Sequence, residues 1–282
     1  MRLFRLSTAL IGVFAIWAGA AQADANRELY GPYQEILEQF LTEKDLAGGG
    51  LVSAFDYAAA IDQEQTLQKL ASQREVLAEF KLSSLEGQAE SVSFWINAYN
   101  FFMLNQILTD RPGGKLVESV WDYGGRINPF VDSVFERKNF VIDGEEYSLN
   151  QMEKGILLGD DYAGKGWKDA RVHFAVNCAS VGCPPLRDTL YTADNLEDLL
   201  AENTRRAFLT DYHLRVEDKT LYVSELFKWY EDDFKEAGGS RKAFIQKWVD
   251  ASLAERVAQT STIKFIDYDW SLNKPSNFPE FR

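Results

Sequence analysis

Ser91-Val-Ser-Phe-Trp-Ile-Asn-Ala-Tyr-Asn-Phe-Phe-Met-Leu104 decides the fold. At about 100° per residue, Glu86, Glu90, Ser93, Asn97 and Asn100 share one narrow wedge, and large apolar side chains cover the rest of the circumference. A helix apolar nearly all round belongs inside a protein, and its amides must find hydrogen-bond partners there. The spacing predicts a buried helix from near Glu86 to Asp110-Arg-Pro-Gly-Gly114, with Asn97 and Asn100 tying down a neighbouring loop or supporting a pocket.

Outward from that helix, the periodicities alternate between helix and short hairpin. Tyr33, Ile36, Leu37, Phe40 and Leu41 keep helical spacing up to Gly48-Gly49-Gly50, and residues 62–80 continue the pattern. Phe140-Val-Ile142, Asp143-Gly144 and Tyr147 read as a two-residue hairpin. Ser148 and Gln151 have capping-box spacing for a helix that carries Met152, Glu153, Ile156 and Leu157. Val172, Phe174 and Val176 alternate with His173, Ala175 and Asn177, a strand pattern. A helix follows through Leu196, Leu199, Leu200, Ala207 and Phe208, then a hairpin of Leu214–Val216 and Leu221–Val223. Ser224 caps a helix running to Phe234, Gly238-Gly239 breaks it, another carries Phe244, Ile245 and Trp248, and Ile263–Ile266 closes as a strand. The class is α+β, mostly helical with a small antiparallel sheet.

The amino terminus has a separate character. Arg2 and Arg5, an apolar run from Leu6 to Trp17 and Ala21-Gln22-Ala23 form the pattern of a secretory signal peptide over residues 1–23, too short in its apolar part to span a bilayer. Residues 24–282 then make a single globular α+β domain, exported to a periplasmic or extracellular compartment. No later segment is apolar and long enough to cross a membrane. The net charge of −13 becomes −15 without Arg2 and Arg5, which argues against nucleic acid as a partner. Nothing in the sequence sets an oligomeric state or calls for a cofactor.

Chemistry concentrates in Arg171-Val-His-Phe-Ala-Val-Asn-Cys-Ala-Ser-Val-Gly-Cys-Pro-Pro-Leu186, which holds both cysteines and one of the two histidines. A thiol nucleophile needs a neighbouring imidazole, and the imidazole needs a third group to orient it. In a flat strand His173 and Cys178 face opposite sides, so a pairing requires a bend at Asn177, which Ala179-Ser180-Val181-Gly182 can supply. Competing readings are a Cys178–Cys183 disulfide, which suits an oxidising compartment, plain burial of small apolar cysteines, and a metal site, which the missing C-x-x-C spacing disfavours. His213, among polar residues at a strand start, reads as a surface group.

Five segments together resemble a known family: Phe94-Trp-Ile-Asn-Ala-Tyr-Asn100, Ser148-Leu-x-x-x-Glu153-x-Gly155-Ile-Leu157, His173-Phe-Ala-x-x-Cys178-x-x-x-x-Cys183-Pro-Pro-Leu186, Phe227-Lys-Trp-Tyr230 and Tyr268-Asp-Trp-Ser-Leu272. They run in order within residues 50–275 and are similar to the family known as domain of unknown function number 547. The resemblance implies a papain- or transglutaminase-like core, with Cys178 as nucleophile, His173 as base and Glu153 as orienting acid. Cys183 is then the second family cysteine. Lys154 stands where the family often has a histidine after the glutamate. On this reading Asn97, Asn100 and Asn177 support the pocket, with Asn177 or a turn N–H polarising a carbonyl. Two functions follow. One is an exported cysteine hydrolase or acyltransferase acting on a peptide or small amide or a thioester, without a metal. The other is a non-catalytic binding or scaffold domain locked by a Cys178–Cys183 disulfide.

Overall fold

A computed structural model describes residues 29–125 and 132–282, so the expected signal segment lies outside the described residues. In chain order the elements are α1 (Gly31–Phe40), β1 (Leu41–Asp45), β2 (Leu51–Phe55), α2 (Tyr57–Ile61), α3 (Glu64–Glu79), α4 (Gln88–Thr109), β3 (Phe140–Ile142) and β4 (Glu145–Tyr147). Then come a π-helical turn (Gln151–Leu157), α5 (Asp160–Gly164), a 3-10 turn (Ala170–Phe174), α6 (Leu196–Ala207), β5 (Leu214–Glu217) and β6 (Thr220–Ser224). The chain ends through α7 (Leu226–Trp229), α8 (Glu231–Gly238), α9 (Arg241–Trp248), α10 (Ala251–Ala258) and β7 (Thr262–Ile266). Helices and small sheets segregate, and the class is α+β.

The central helix is as the sequence demands. Every residue of α4 from Ser91 to Leu108 is buried, and the main core gathers round it from α1, α3 and the segments on either side of β3. The wedge amides are not wasted: Asn97 donates to Tyr191 O (2.7 Å) and accepts from Tyr191 N–H (3.0 Å). One turn on, Asn100 donates to Ala175 O (3.0 Å) and accepts from Asn177 N–H (2.8 Å). Both side chains therefore pin distant loops to the helix.

The β3–β4 hairpin turns through Asp143 and Gly144, both at positive φ (53° and 76°), as the Asp-Gly pair predicts. Ser148 and Gln151 exchange side-chain-to-backbone bonds of 3.0 and 3.1 Å, the expected reciprocal cap. The helix it starts is π-type, with Leu158 N–H bonded to Glu153 O. The third sheet departs from expectation. β5 and β6 are antiparallel, but β7 joins β6 in parallel after the α7–α10 crossover, so that sheet is mixed.

Residues 170–174 also differ from the strand reading. Asp169 accepts from Arg171 N–H (2.8 Å) and starts a 3-10 turn, while the Arg171 guanidinium pairs with Asp169 (2.5 Å) and Glu197 (2.7 Å). The apolar alternation arises because Val172 enters the main core and Phe174 enters a second one, with Phe208, Phe227, Phe234 and Phe244. His173 sits on the seam. His213 is buried rather than superficial: its ring lies beside Phe174, Nδ1 has no hydrogen-bond partner, and burial pulls its pKa down to about 4.

Candidate functional site

The segment after the 3-10 turn bends sharply. Asn177 Oδ1 accepts from Ala179 N–H (2.8 Å) and its amide donates to Pro184 O (2.8 Å), while Ala179 takes φ of +60°. The loop closes on itself and brings Cys178 and Cys183 together as a disulfide. The tail of the chain brackets this loop. Val181 N–H bonds to Ser271 O, Gly182 N–H to Asp269 O, and Asn273 N–H to Ala179 O. A side chain at Gly182 would stand 2.9 Å from the Tyr268 ring, so glycine here permits the close approach of the tail. Tyr268 OH consequently reaches both sulfurs at 3.0 Å, and Cys178 N–H donates to Cys183 Sγ at 2.9 Å.

The disulfide forms part of the wall of a cavity of about 470 Å³. Trp121, Trp229, Tyr230, Tyr268 and Trp270 supply aromatic walls, Glu153 and His173 polar ones, and exposed Lys154 stands over Tyr230 at 5.7 Å. Trp229 and Trp270 stack (5.6 Å), and Tyr268 tilts against both.

Glu153, His173, Cys178 and Cys183 thus line one cavity, whereas Asn97, Asn100 and Asn177 do not and act through the backbone they hold. The imidazole does not engage sulfur. Nε2 bonds to Asp233 Oδ2 (2.8 Å), and Nδ1 faces Glu153 Oε1 at 3.6 Å, beyond hydrogen-bond reach but close enough for charge. Tyr230 stacks on the ring at 3.9 Å. Burial alone would lower the His173 pKa; the bond to Asp233 and the charges of Asp233 and Glu153 outweigh it, so the pKa is raised. Burial likewise works against the Asp233 carboxylate, and the bonds from His173 and Lys168 (2.8 Å) overcome it, so that pKa is lowered. The two shifts agree on an imidazolium–carboxylate pair. Burial, and after it the charge of Glu153, raises the phenols of Tyr99 and Tyr230.

Three members of this cluster carried no role in the sequence reading. Asp233 lies in the acidic start of α8, where Glu231, Asp232 and Asp233 look like a solvated turn. Tyr230 and Tyr268 stood inside quoted segments, but nothing in their spacing linked them to the histidine or the sulfurs.

The model of a family described as "Protein of unknown function, DUF547" matches residues 82–209. That stretch holds α4, Glu153, His173 and both cysteines, so the resemblance to the family stands over the segment that carries the cluster. No curated protein and no solved structure matches the chain.

Proposed function

We propose that the domain is an exported ligand-binding module whose aromatic pocket is locked by the Cys178–Cys183 disulfide. One observation carries this: the two sulfurs are bonded to each other, so there is no thiol nucleophile, and both ring nitrogens of His173 face carboxylates. The pocket volume suits a small molecule or one or two side chains of a peptide. Stacked indoles and phenols favour a planar or apolar body, while Glu153 and Lys154 offer one acidic and one basic anchor. Export is supported by the signal pattern of residues 1–23 and by the disulfide, a bond of oxidising compartments.

A second reading rests on the fact that Cys178, His173 and Glu153 line the same cavity. If Cys178 were reduced and the ring turned from Asp233, the trio would suit a cysteine hydrolase or acyltransferase of papain-like logic, acting on an amide or thioester. Intact mass of the purified mature chain separates the two. A gain of about two daltons on reduction, with no iodoacetamide labelling beforehand, supports the binding reading. Stoichiometric labelling of the untreated folded protein overturns it in favour of the hydrolase.

A further inference from the structure

We infer that the Cys178–Cys183 disulfide is an exchange site, and that the pocket takes a thiol-bearing ligand: a low-molecular-weight thiol or a cysteinyl peptide. The inference rests on the binding reading above and names the chemistry of its ligand.

A purely structural staple has no need of a cavity. Here the bond lies in the wall of the aromatic pocket, and its two ends differ. Cys178 is partly exposed, whereas Cys183 is 8% exposed and receives a backbone donor, Cys178 N–H at 2.9 Å, while Tyr268 OH stands 3.0 Å from both sulfurs. Ser180 Oγ lies 3.1 Å from Cys178 Sγ and 3.4 Å from Cys183 Sγ. An incoming thiolate therefore has access to Cys178, and the sulfur that must leave as a thiolate is the one that holds a backbone N–H donor in addition to the shared hydroxyls. Such donors favour the anion, and a better leaving thiolate speeds exchange.

The ligand thiolate attacks Cys178 Sγ, the S–S bond breaks, and its electron pair leaves on Cys183 Sγ, giving a mixed disulfide at Cys178. A second thiol then releases the ligand as a disulfide and leaves Cys178 as a thiol. Overall two thiols are oxidised to one disulfide while the protein disulfide becomes a dithiol. In reverse, the dithiol reduces a disulfide ligand. The turn is suited to both directions. Its geometry is set by Asn177, by Asn100 and by the tail bonds to Ala179, Val181 and Gly182, none of which involves sulfur. Reduction therefore leaves the two sulfurs side by side.

The test uses the folded mature chain and glutathione. Incubated with glutathione disulfide, Cys183→Ser is expected to take up one glutathione at Cys178 about tenfold faster than Cys178→Ser takes one up at Cys183, in line with their exposure. Reduction of the wild-type disulfide by reduced glutathione is expected to slow roughly threefold or more in Tyr268→Phe, which removes a donor from the leaving sulfur. Equal uptake by the two serine variants, or a wild-type disulfide that glutathione opens only after denaturation, overturns the inference. In the second case the mass gain on reduction of the unfolded chain still supports the binding reading, so exchange fails while the locked pocket stands. Absence of a disulfide in the untreated protein removes both.

Discussion

Asn100→Ala tests the physical link between the central helix and the site. The side chain is 4% exposed and holds two backbone groups that are themselves buried, Ala175 O at 3.0 Å and Asn177 N–H at 2.8 Å. Truncation removes both bonds and leaves a carbonyl and an amide without partners in the interior. Each orphaned group costs about 1–3 kcal/mol, and water entering the truncated space recovers part of that, so the expected loss is about 2–4 kcal/mol. Gln39→Ala is the matched control. Its amide donates to Gln63 at 2.7 Å on the exposed face of α1, and its loss should stay within about 0.5 kcal/mol. Urea unfolding followed by circular dichroism, with the disulfide intact in both variants, reads the difference as a shift in midpoint at unchanged slope. If Asn100→Ala unfolds within about 0.5 kcal/mol of Gln39→Ala, then the amide is not the strut described here, and the position of the Cys178 turn has another origin.

The two histidines should titrate in opposite directions, read by proton NMR and assigned with His213→Gln. His173 is expected above its ordinary 6.5, and His213 at about 4. The His173 contribution to stability is complete below 6.5 and is lost as pH rises through the higher folded value. The Asp233 contribution is present above 3.8 and is lost as pH falls through its lower folded value. The pair therefore supports the fold most between those limits, and His173→Gln should flatten the decline on the alkaline side. A His173 titration below 6.5 contradicts the imidazolium assignment. In the second core, Phe227→Ala removes a fully buried ring that packs at 4.2 Å on Phe234 and 5.9 Å on Phe208. A loss of about 3–5 kcal/mol is expected in the same urea assay, and a loss under about 1 kcal/mol would mean the core does not pack as described.

What could be read from the residues was what local physics decides. A helix apolar on every side except an amide wedge can only be central, and Asp143-Gly144 can only turn tightly, so α4 and the β3–β4 hairpin were both legible. The β1–β2 hairpin was not. All five residues of β2 are buried, so the two-residue alternation is absent, and Leu41, read as the end of a helix, begins β1. Val172–Val176 misled for the converse reason: two cores on either side of one turn imitate the two faces of a strand. The site suffered most from distance along the chain. His173 meets Asp233 across 60 residues, and Cys183 meets Tyr268 across 85, separations that no spacing rule reaches. His213 was misjudged from its polar neighbours in sequence, while its neighbours in space are Phe174 and the cysteine loop.

The arrangement round His173 also bears on which chemistry the cavity favours. A general base needs a free lone pair directed at the proton it takes. Here Nε2 is committed to Asp233, Nδ1 faces Glu153, and the two carboxylates raise the ring's pKa against the effect of burial, which favours the doubly protonated form over a free base. Hydrolysis would require two changes in the site: reduction of the disulfide to supply a nucleophile, and rotation of the imidazole away from a 2.8 Å bond. Disulfide exchange requires neither, because the reactive bond is already present and the incoming thiolate brings its own electron pair. Donors to the departing sulfur, Cys178 N–H at 2.9 Å and the Tyr268 hydroxyl that also reaches Cys178, are likewise in place. The bond from His173 helps to lower the pKa of Asp233 beside the aromatic walls, so the ring's contacts in this structure are those of a charge partner. Glu153, His173 and Cys178 line one cavity, and in this structure the imidazole is bonded to Asp233 while the sulfur is bonded to Cys183.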